Sequence, residues 1–322
     1  MRKILITGAL GQIGSELTDE MRKFYGSNNV VASNRRIKKG HDQLIESGPF
    51  EIVDINDYKA LAEAVDKHNI NTIVNLAAIL SATGEKDPQQ CWNINMNGLY
   101  NVLEIAREKN CMVFTPSSIA AFGPSTPKDK TPQNTIQRPN TMYGVTKAAG
   151  ELLCDYYYKK FGVDTRGVRF PGLISYKTLP GGGTTDYAVH IYYEALKNKK
   201  YTSFIQKGTY MDMMYIPDAL DAIINLIEAD PSKLTHRNAF NVTAMSFEPE
   251  MLAVSIRKFI PEFELDYNID PIRQEIADSW PNSLDDSAAR EEWDWNPKYD
   301  LDSMTKDMLE KLKIKLNIEN NN

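Results

Sequence analysis

Tyr143 and Lys147 stand four residues apart in a stretch, Met142 to Phe161, that reads as one long helix, so a phenol and an ammonium emerge on the same face. A free phenol loses its proton near pH of about 10, and a close positive charge favours the phenolate and draws that value down. Such a tyrosine can accept the proton of a bound alcohol, which is general-base catalysis. Upstream, Pro116-Ser117-Ser118 ends the apolar run Met112 to Thr115. In parallel sheets ligands meet the carboxyl ends of strands, which places the Ser118 hydroxyl to bond the reacting oxygen and turns Ser117 inward. A tyrosine and a lysine on one helix face are common by chance; the pair gains weight only from the serine that precedes it.

A second set is glycine-rich. Lys3 to Thr7 reads as a strand, and the chain then turns through Gly8, Gly11 and Gly14 into an amphipathic helix opened by Gln12 and Ile13. Gly8 suits a tight turn, Gly11 lets backbone approach a pyrophosphate, and Gly14 lets helix and strand pack closely, while the helix N-terminus attracts the anion. This context favours a dinucleotide, and a bound cationic nicotinamide would add to the charge that acidifies Tyr143. Lys147 is also placed to hold the nicotinamide ribose. The next strand, Val30 to Ser33, runs into Asn34 where an acid usually meets the ribose 2′-hydroxyl of NAD. Asn34 can bond that hydroxyl. Arg35 and Arg36 can instead meet a 2′-phosphate, or simply be solvated. Asp54 and Ile55, after the third strand, are placed near adenine, with a capping role before Asp57 as the alternative for Asp54.

These groups must be positioned by the elements around them. Short apolar runs alternate with amphipathic ones: Gln12 to Tyr25, Glu51 to Val53, Asp57 to His68, Thr72 to Asn75, Asn95 to Lys109 and Asp164 to Arg169. Continuous apolar strands need cover on both faces, and intervening helices supply it, so the expected fold is α/β, a doubly wound parallel sheet of the Rossmann type. After Arg169, glycines and prolines favour a loop. Helices are expected at Asp186 to Lys197, from Pro217, at Pro249 to Ile260 and at Leu301 to Leu316, with strands at Phe240 to Thr243 and Leu265 to Ile269. Residues 1–170, with 215–235 packing back on the sheet, form the expected cofactor domain. Residues 171–214 and 236–318 form a smaller α+β substrate lobe, and 319–322 a disordered tail.

The 322 residues, 42% hydrophobic, suffice for a sizeable core. A net charge of -6 argues against nucleic acid and anionic membrane, which need a basic face, and for a small-molecule substrate. Cys91, Cys111 and Cys154 stand at no zinc spacing, so no metal centre is expected. No apolar run reaches the roughly 20 residues needed to span a bilayer. The first strand begins almost at the initiator methionine, leaving no room for a leader, and a cytoplasmic location is expected.

Four blocks now carry a resemblance over almost the whole chain: the strand with Gly8, Gly11 and Gly14; Asn75-Leu76-Ala77-Ala78; Ser117-Ser118 with Phe122-Gly123; and Tyr143 with Lys147. The chain resembles the extended short-chain dehydrogenase/reductase family. The resemblance implies NAD as cofactor, with Leu76, Ala77 and Ala78 against it and Asn95 steadying the nicotinamide side; without it, Asn95 reads as a helix cap. Within the family, Pro116 to Pro124, Arg169 to Ser175 with Pro180 to Ala188, and Ser279-Trp280-Pro281 with Asp285 to Arg290 are similar to the branch that oxidises L-threonine at C3. That likeness implies a substrate pocket lined by Thr184, Thr185 and Asp186, with Ser81 opposite and Leu173 touching the nicotinamide. The loop also reads as a helix cap, with Thr185 or Asp186 as N-cap. Relatives usually carry aspartate in place of Asn34 and often threonine in place of Ser118.

The family's dimers pair through the helices containing Asn95 to Lys109 and Met142 to Phe161, which implies a homodimer. The rival within the family is a nucleotide-sugar epimerase or dehydratase, which needs basic residues in the C-terminal lobe; Arg257, Lys258 and Arg273 form no obvious set. A cofactor-sensing regulator without chemistry is the rival from another class, and an intact Ser118, Tyr143 and Lys147 speaks against it. Trp280, Trp293 and Trp295 read as packing of the C-terminal lobe.

Overall fold

Strands and helices alternate through the first half of the computed structural model, which describes residues 1–178, 181 and 183–318. Strands β1 (Ile4–Thr7), β2 (Val30–Asn34), β3 (Phe50–Ile52), β4 (Thr72–Asn75) and β5 (Met112–Phe114) belong to the central sheet; β6 (Ser117–Ser118) leaves it, and β7 (Thr165–Arg166) completes it. The order is β3-β2-β1-β4-β5-β7, with every pair parallel. β1 is central, Ile4 lying opposite Val30 on one side and Thr72 on the other.

Alternation along the strands sends side chains to two cores. Ile4, Ile6 and Val30 join Leu17 and Met21 of α1 (Gln12–Tyr25) on one face. Leu5, Val31 and Ile73 meet Leu61 and Leu103 on the other. That second face is covered by α3 (Tyr58–Lys67), after the short α2 (Asp42–Glu46), and by α6 (Gly98–Lys109) and α7 (Met142–Phe161), with α4 (Ser81–Lys86) and α5 (Pro88–Trp92) between. Asp57, not Asp54, caps α3, accepting from Ala60 N at 3.0 Å.

Two expectations are corrected here. The helix expected from Asn95 begins at Pro88, capped by Asp87, and reaches Gly98 through a π-helical turn, Asn93–Asn97. Asn95 is therefore inside the helix and caps nothing. The single strand expected from Asp164 to Arg169 is two, because the chain leaves the central sheet at Gly167 and β8 (Val168–Phe170) pairs with β6, Ser117 opposite Arg169.

Beyond β8 come β9 (Gly172–Ile174), α8 (Tyr187–Asn198), β10 (Lys200–Ser203), β11 (Met211–Tyr215) and α9 (Ile216–Glu228). They are followed by β12 (Phe240–Asn241), β13 (Met245–Phe247), α10 (Pro249–Arg257), β14 (Glu264–Tyr267), α11 (Pro271–Ser279), α12 (Ser287–Trp293) and α13 (Leu301–Lys315). These strands form small sheets, β12-β8-β6, β13-β11-β9 and β10-β14. α9 returns to the central sheet, where buried Arg166 donates to the Leu226 carbonyl at 2.7 Å. Core residues run unbroken from Ile4 to Leu312, so the sheet and the C-terminal segments share one interior. The tail expected at 319–322 lies outside the described residues. Among the described residues no helix is long and apolar enough to cross a membrane.

Candidate active site

A cleft of about 560 Å³ opens along the carboxyl ends of the central strands. Gly8, Gly11, Gln12, Ile13 and Gly14 line one part of it. Gly8 has φ +70°, and a Cβ there would lie 2.8 Å from the backbone between Leu76 and Ala77; one on Gly14 would lie 2.4 Å from the Gly8 carbonyl oxygen. The turn therefore holds its shape only without these side chains. No side chain caps α1, and no acid stands in its first turn. Its N-terminus is left as a cradle of backbone donors suited to a pyrophosphate, so the residues present fit a dinucleotide.

Leu76, Ala77 and Ala78 follow β4 along the same wall, with Leu173 from β9. Asn95 is buried and holds both backbone polar groups of Ile79, accepting from its N–H at 2.8 Å and donating to its carbonyl at 3.0 Å, and also donates to Thr146 Oγ1 at 3.0 Å. It ties the strand end to α7, which brings Tyr143 to the cleft.

Ser118, Tyr143 and Lys147 meet there. Thr141 caps α7 from Gly144 N at 3.1 Å and starts the helix two residues before the phenol. Ser118 Oγ accepts from Ala120 N at 3.2 Å and lies near enough to the Tyr143 phenol to favour its ionised form. Lys147 Nζ donates to the Pro116 carbonyl at 2.7 Å and sits 5.5 Å from the centre of the Tyr143 ring. Burial pushes the Tyr143 phenol up to about 12, against the lowering effect of Ser118. Burial likewise pulls Lys147 down to about 8, against the neighbouring Glu151 carboxylate. Burial thus sets the direction of the shift that the protein alone imposes on both groups.

Ser81 at the start of α4, with Thr184, Thr185 and Asp186, also lines the cleft. Asp186 stands at the N-cap position of α8, as one of the two expected alternatives had it. Gly183 opens the 3-10 turn Thr184–Asp186 before it, its N–H donating to Asp186 Oδ2 at 2.6 Å. Pro180 and Gly182 of this loop lie outside the described residues.

Asn34, Arg35, Asp54 and Ile55 are not in the cleft wall. Asn34 Nδ2 donates to the Arg36 carbonyl at 2.8 Å, and Asp54 accepts from Asn56 N at 3.0 Å. Ile55 packs in the second core, its carbonyl taken by Asn101 Nδ2 at 3.0 Å. Instead Lys38 reaches the wall, donating to the Leu10 carbonyl at 3.1 Å. Sequence reasoning missed it because nothing in its spacing marks the loop's return. Trp280 both packs the lobe and lines the cleft. Glu151 was also missed, although it continues the four-residue spacing of Tyr143 and Lys147. Ser117 is inward as expected, donating to Glu151.

A parallel sheet reversing at β1, with a glycine turn and a serine, tyrosine and lysine at its carboxyl edge, defines a dinucleotide-dependent α/β enzyme. The chain belongs to the NAD dependent epimerase/dehydratase family, whose model matches residues 4–243. An uncharacterized epimerase/dehydratase of Staphylococcus aureus (strain USA300) is 58% identical over the full length of both chains. Among solved structures, the L-threonine dehydrogenase from Clostridium difficile is 66% identical, with a TM-score of 0.96 over 98% of each chain. A monomeric L-threonine 3-dehydrogenase from a metagenome is 44% identical, with a TM-score of 0.91 over 98% of this chain and 99% of its own.

Proposed function

We propose that this protein oxidises L-threonine at C3 with NAD, giving 2-amino-3-oxobutanoate. The observation that carries the reading is that one cleft holds both the glycine turn and a hydroxyl-rich pocket, with Ser118, Tyr143 and Lys147 between the two sets. Bound NAD supplies the acceptor for the hydride. The α1 N-terminus and the Gly11 backbone hold its pyrophosphate, and Asn95 and Lys147 fix the nicotinamide side. Ser118 holds the substrate hydroxyl against Tyr143 Oη, which takes the O–H proton as the C3–H electron pair leaves and the C3 carbonyl forms. Thr184, Thr185, Asp186 and Ser81 offer hydroxyls and a carboxylate to the carboxylate and ammonium of the amino acid.

The bases that a nucleotide diphosphate would require are committed elsewhere. Arg257 donates to Glu250 at 2.9 Å, Lys258 to Asp302 at 2.5 Å, and Arg273 lies 4.3 Å over the Phe204 ring. Residues 1–170 with 215–235 act as the cofactor side, and 171–214 with 236–318 as the substrate side. We place the protein in the cytoplasm and infer a homodimer through α6 and α7, whose Tyr100, Leu152 and Tyr156 are exposed apolar groups. Light scattering that returns a monomer would reject that assembly.

Purified protein with NAD should yield NADH absorbance on adding L-threonine and none with UDP-sugars. Tyr143→Phe should lower turnover about 10²- to 10⁴-fold, the usual worth of a positioned base. Absence of NADH with the native protein refutes the substrate, and near-native turnover by the variant refutes the base.

A further inference from the structure

Glu151 stands one turn beyond Lys147 and two beyond Tyr143 on α7, so phenol, ammonium and carboxylate share a helix face. It is 5% exposed, and a buried carboxylate persists only when its oxygens are satisfied. Arg169 meets them with Nε on Oε1 at 3.0 Å and Nη2 on Oε2 at 2.8 Å. Gln137 Nε2 adds a bond to Oε2 at 2.6 Å, and the Ser117 hydroxyl donates to Oε1. Arg169 Nη1 is taken by the Gln133 carbonyl at 2.8 Å and Asn241 Oδ1 at 3.0 Å.

The origin of these donors gives the network its meaning. Ser117 lies between Pro116, whose carbonyl receives Lys147, and Ser118, whose hydroxyl neighbours the Tyr143 phenol. Arg169 is the register partner of Ser117 across β6 and β8. One carboxylate on the helix that carries the reacting pair thus holds the strand that carries their partners.

We propose that Glu151, locked by Arg169, is a positioning residue of the reaction: it anchors the Ser117 strand to α7 and its charge keeps Lys147 an ammonium. This rests on the roles given above to Tyr143 and Lys147. The groups facing Lys147 are Tyr143, Glu151 and Cys154 on its own helix and Cys91 from α5, with Arg169 of β8 behind Glu151. Of these, Glu151 opposes most strongly the burial that pulls Lys147 down to about 8. Without that carboxylate Lys147 loses its proton at lower pH.

The test is kcat and KM for L-threonine against pH, in the full chain, for native protein, Tyr143→Phe, Glu151→Gln, Ser117→Ala and Ser117→Thr. Glu151→Gln should still bind NAD by fluorescence titration, lose kcat about tenfold, and show the alkaline limb of kcat/KM about one pH unit lower. Ser117→Ala should lower kcat with the limb unmoved, and Ser117→Thr should restore it. Native kcat and an unmoved limb in Glu151→Gln overturn the proposal. If Glu151→Gln does not fold, the serine pair decides, and native kcat in Ser117→Ala overturns it. Native turnover by Tyr143→Phe would instead sink the reading of the site itself.

Discussion

Lys147 stands 5.5 Å from the centre of the Tyr143 ring while its ammonium is held by the Pro116 carbonyl at 2.7 Å. A charge at that distance acts on the phenol through space, and its effect grows as water is excluded. Lys147→Met keeps the packing of the stem and removes the charge. Turnover with L-threonine should fall about 10²- to 10⁴-fold, and NAD binding should weaken because the ribose loses a donor. Steady-state kinetics at several pH values check both; a variant within a few-fold of native kcat would show that the ammonium contributes nothing to proton transfer.

Gly14→Ala tests the cradle. The added Cβ would sit 2.4 Å from the Gly8 carbonyl oxygen and 2.8 Å from Ala9 Cα, both backbone atoms that cannot swing aside. Forcing a methyl into such a contact costs about 1–3 kcal/mol, and the shift falls on the turn proposed to receive the pyrophosphate. A lower melting temperature and a NAD dissociation constant raised at least tenfold are expected. Unchanged NAD affinity would mean that the turn is only a structural corner.

The sheet and the convergence of Ser118, Tyr143 and Lys147 in one cleft were legible because each rests on a local pattern. α1, β4 and α7 end where their apolar periodicity and caps end, and Tyr143, Lys147 and Ser118 follow from spacing within one helix and one strand end. What escaped depends on partners far along the chain. The π turn at Asn95 answers to Ile79 and Thr146, and the burial of Glu151 to Arg169, Gln137 and Ser117. The extent of burial at Tyr143 and Lys147 escaped for the same reason, since helical spacing reports a neighbouring ammonium but not how thoroughly both groups are removed from water.

The tip of β2 is where a contribution to cofactor preference can be tested. Asn34 is neutral and occupied with the Arg36 carbonyl, Arg35 and Arg36 are exposed, and Lys38 reaches the cleft wall. Asn34→Asp introduces an acceptor for the ribose 2′-hydroxyl and a charge that repels a 2′-phosphate. The NAD dissociation constant should fall several-fold, and any turnover with NADP should be lost. Parallel titrations with both cofactors decide it; equal effects on the two would place the ribose away from this residue.

Asp212 carries a pH dependence that belongs to the fold and not to the chemistry. It is fully buried in β11, in contact with Thr243 Oγ1 at 2.6 Å and Leu284 N at 2.7 Å, and burial pushes its carboxyl up to about 8, with Asp286 adding to the rise. The folded state therefore keeps a proton that the unfolded chain releases near the ordinary value of 3.8. Stability from this group is full below that value and falls as pH rises toward 8, by at most about 1.4 kcal/mol per pH unit for one proton. Asp212→Asn preserves a carbonyl for Leu284 N and an uncharged group for Thr243, and removes the titration. Denaturant melts from pH 5 to 8 should show a steadily falling stability for the native protein and a shallower fall for the variant, which should be the more stable of the two at the alkaline end. Parallel slopes would mean that Asp212 is already ionised in the fold.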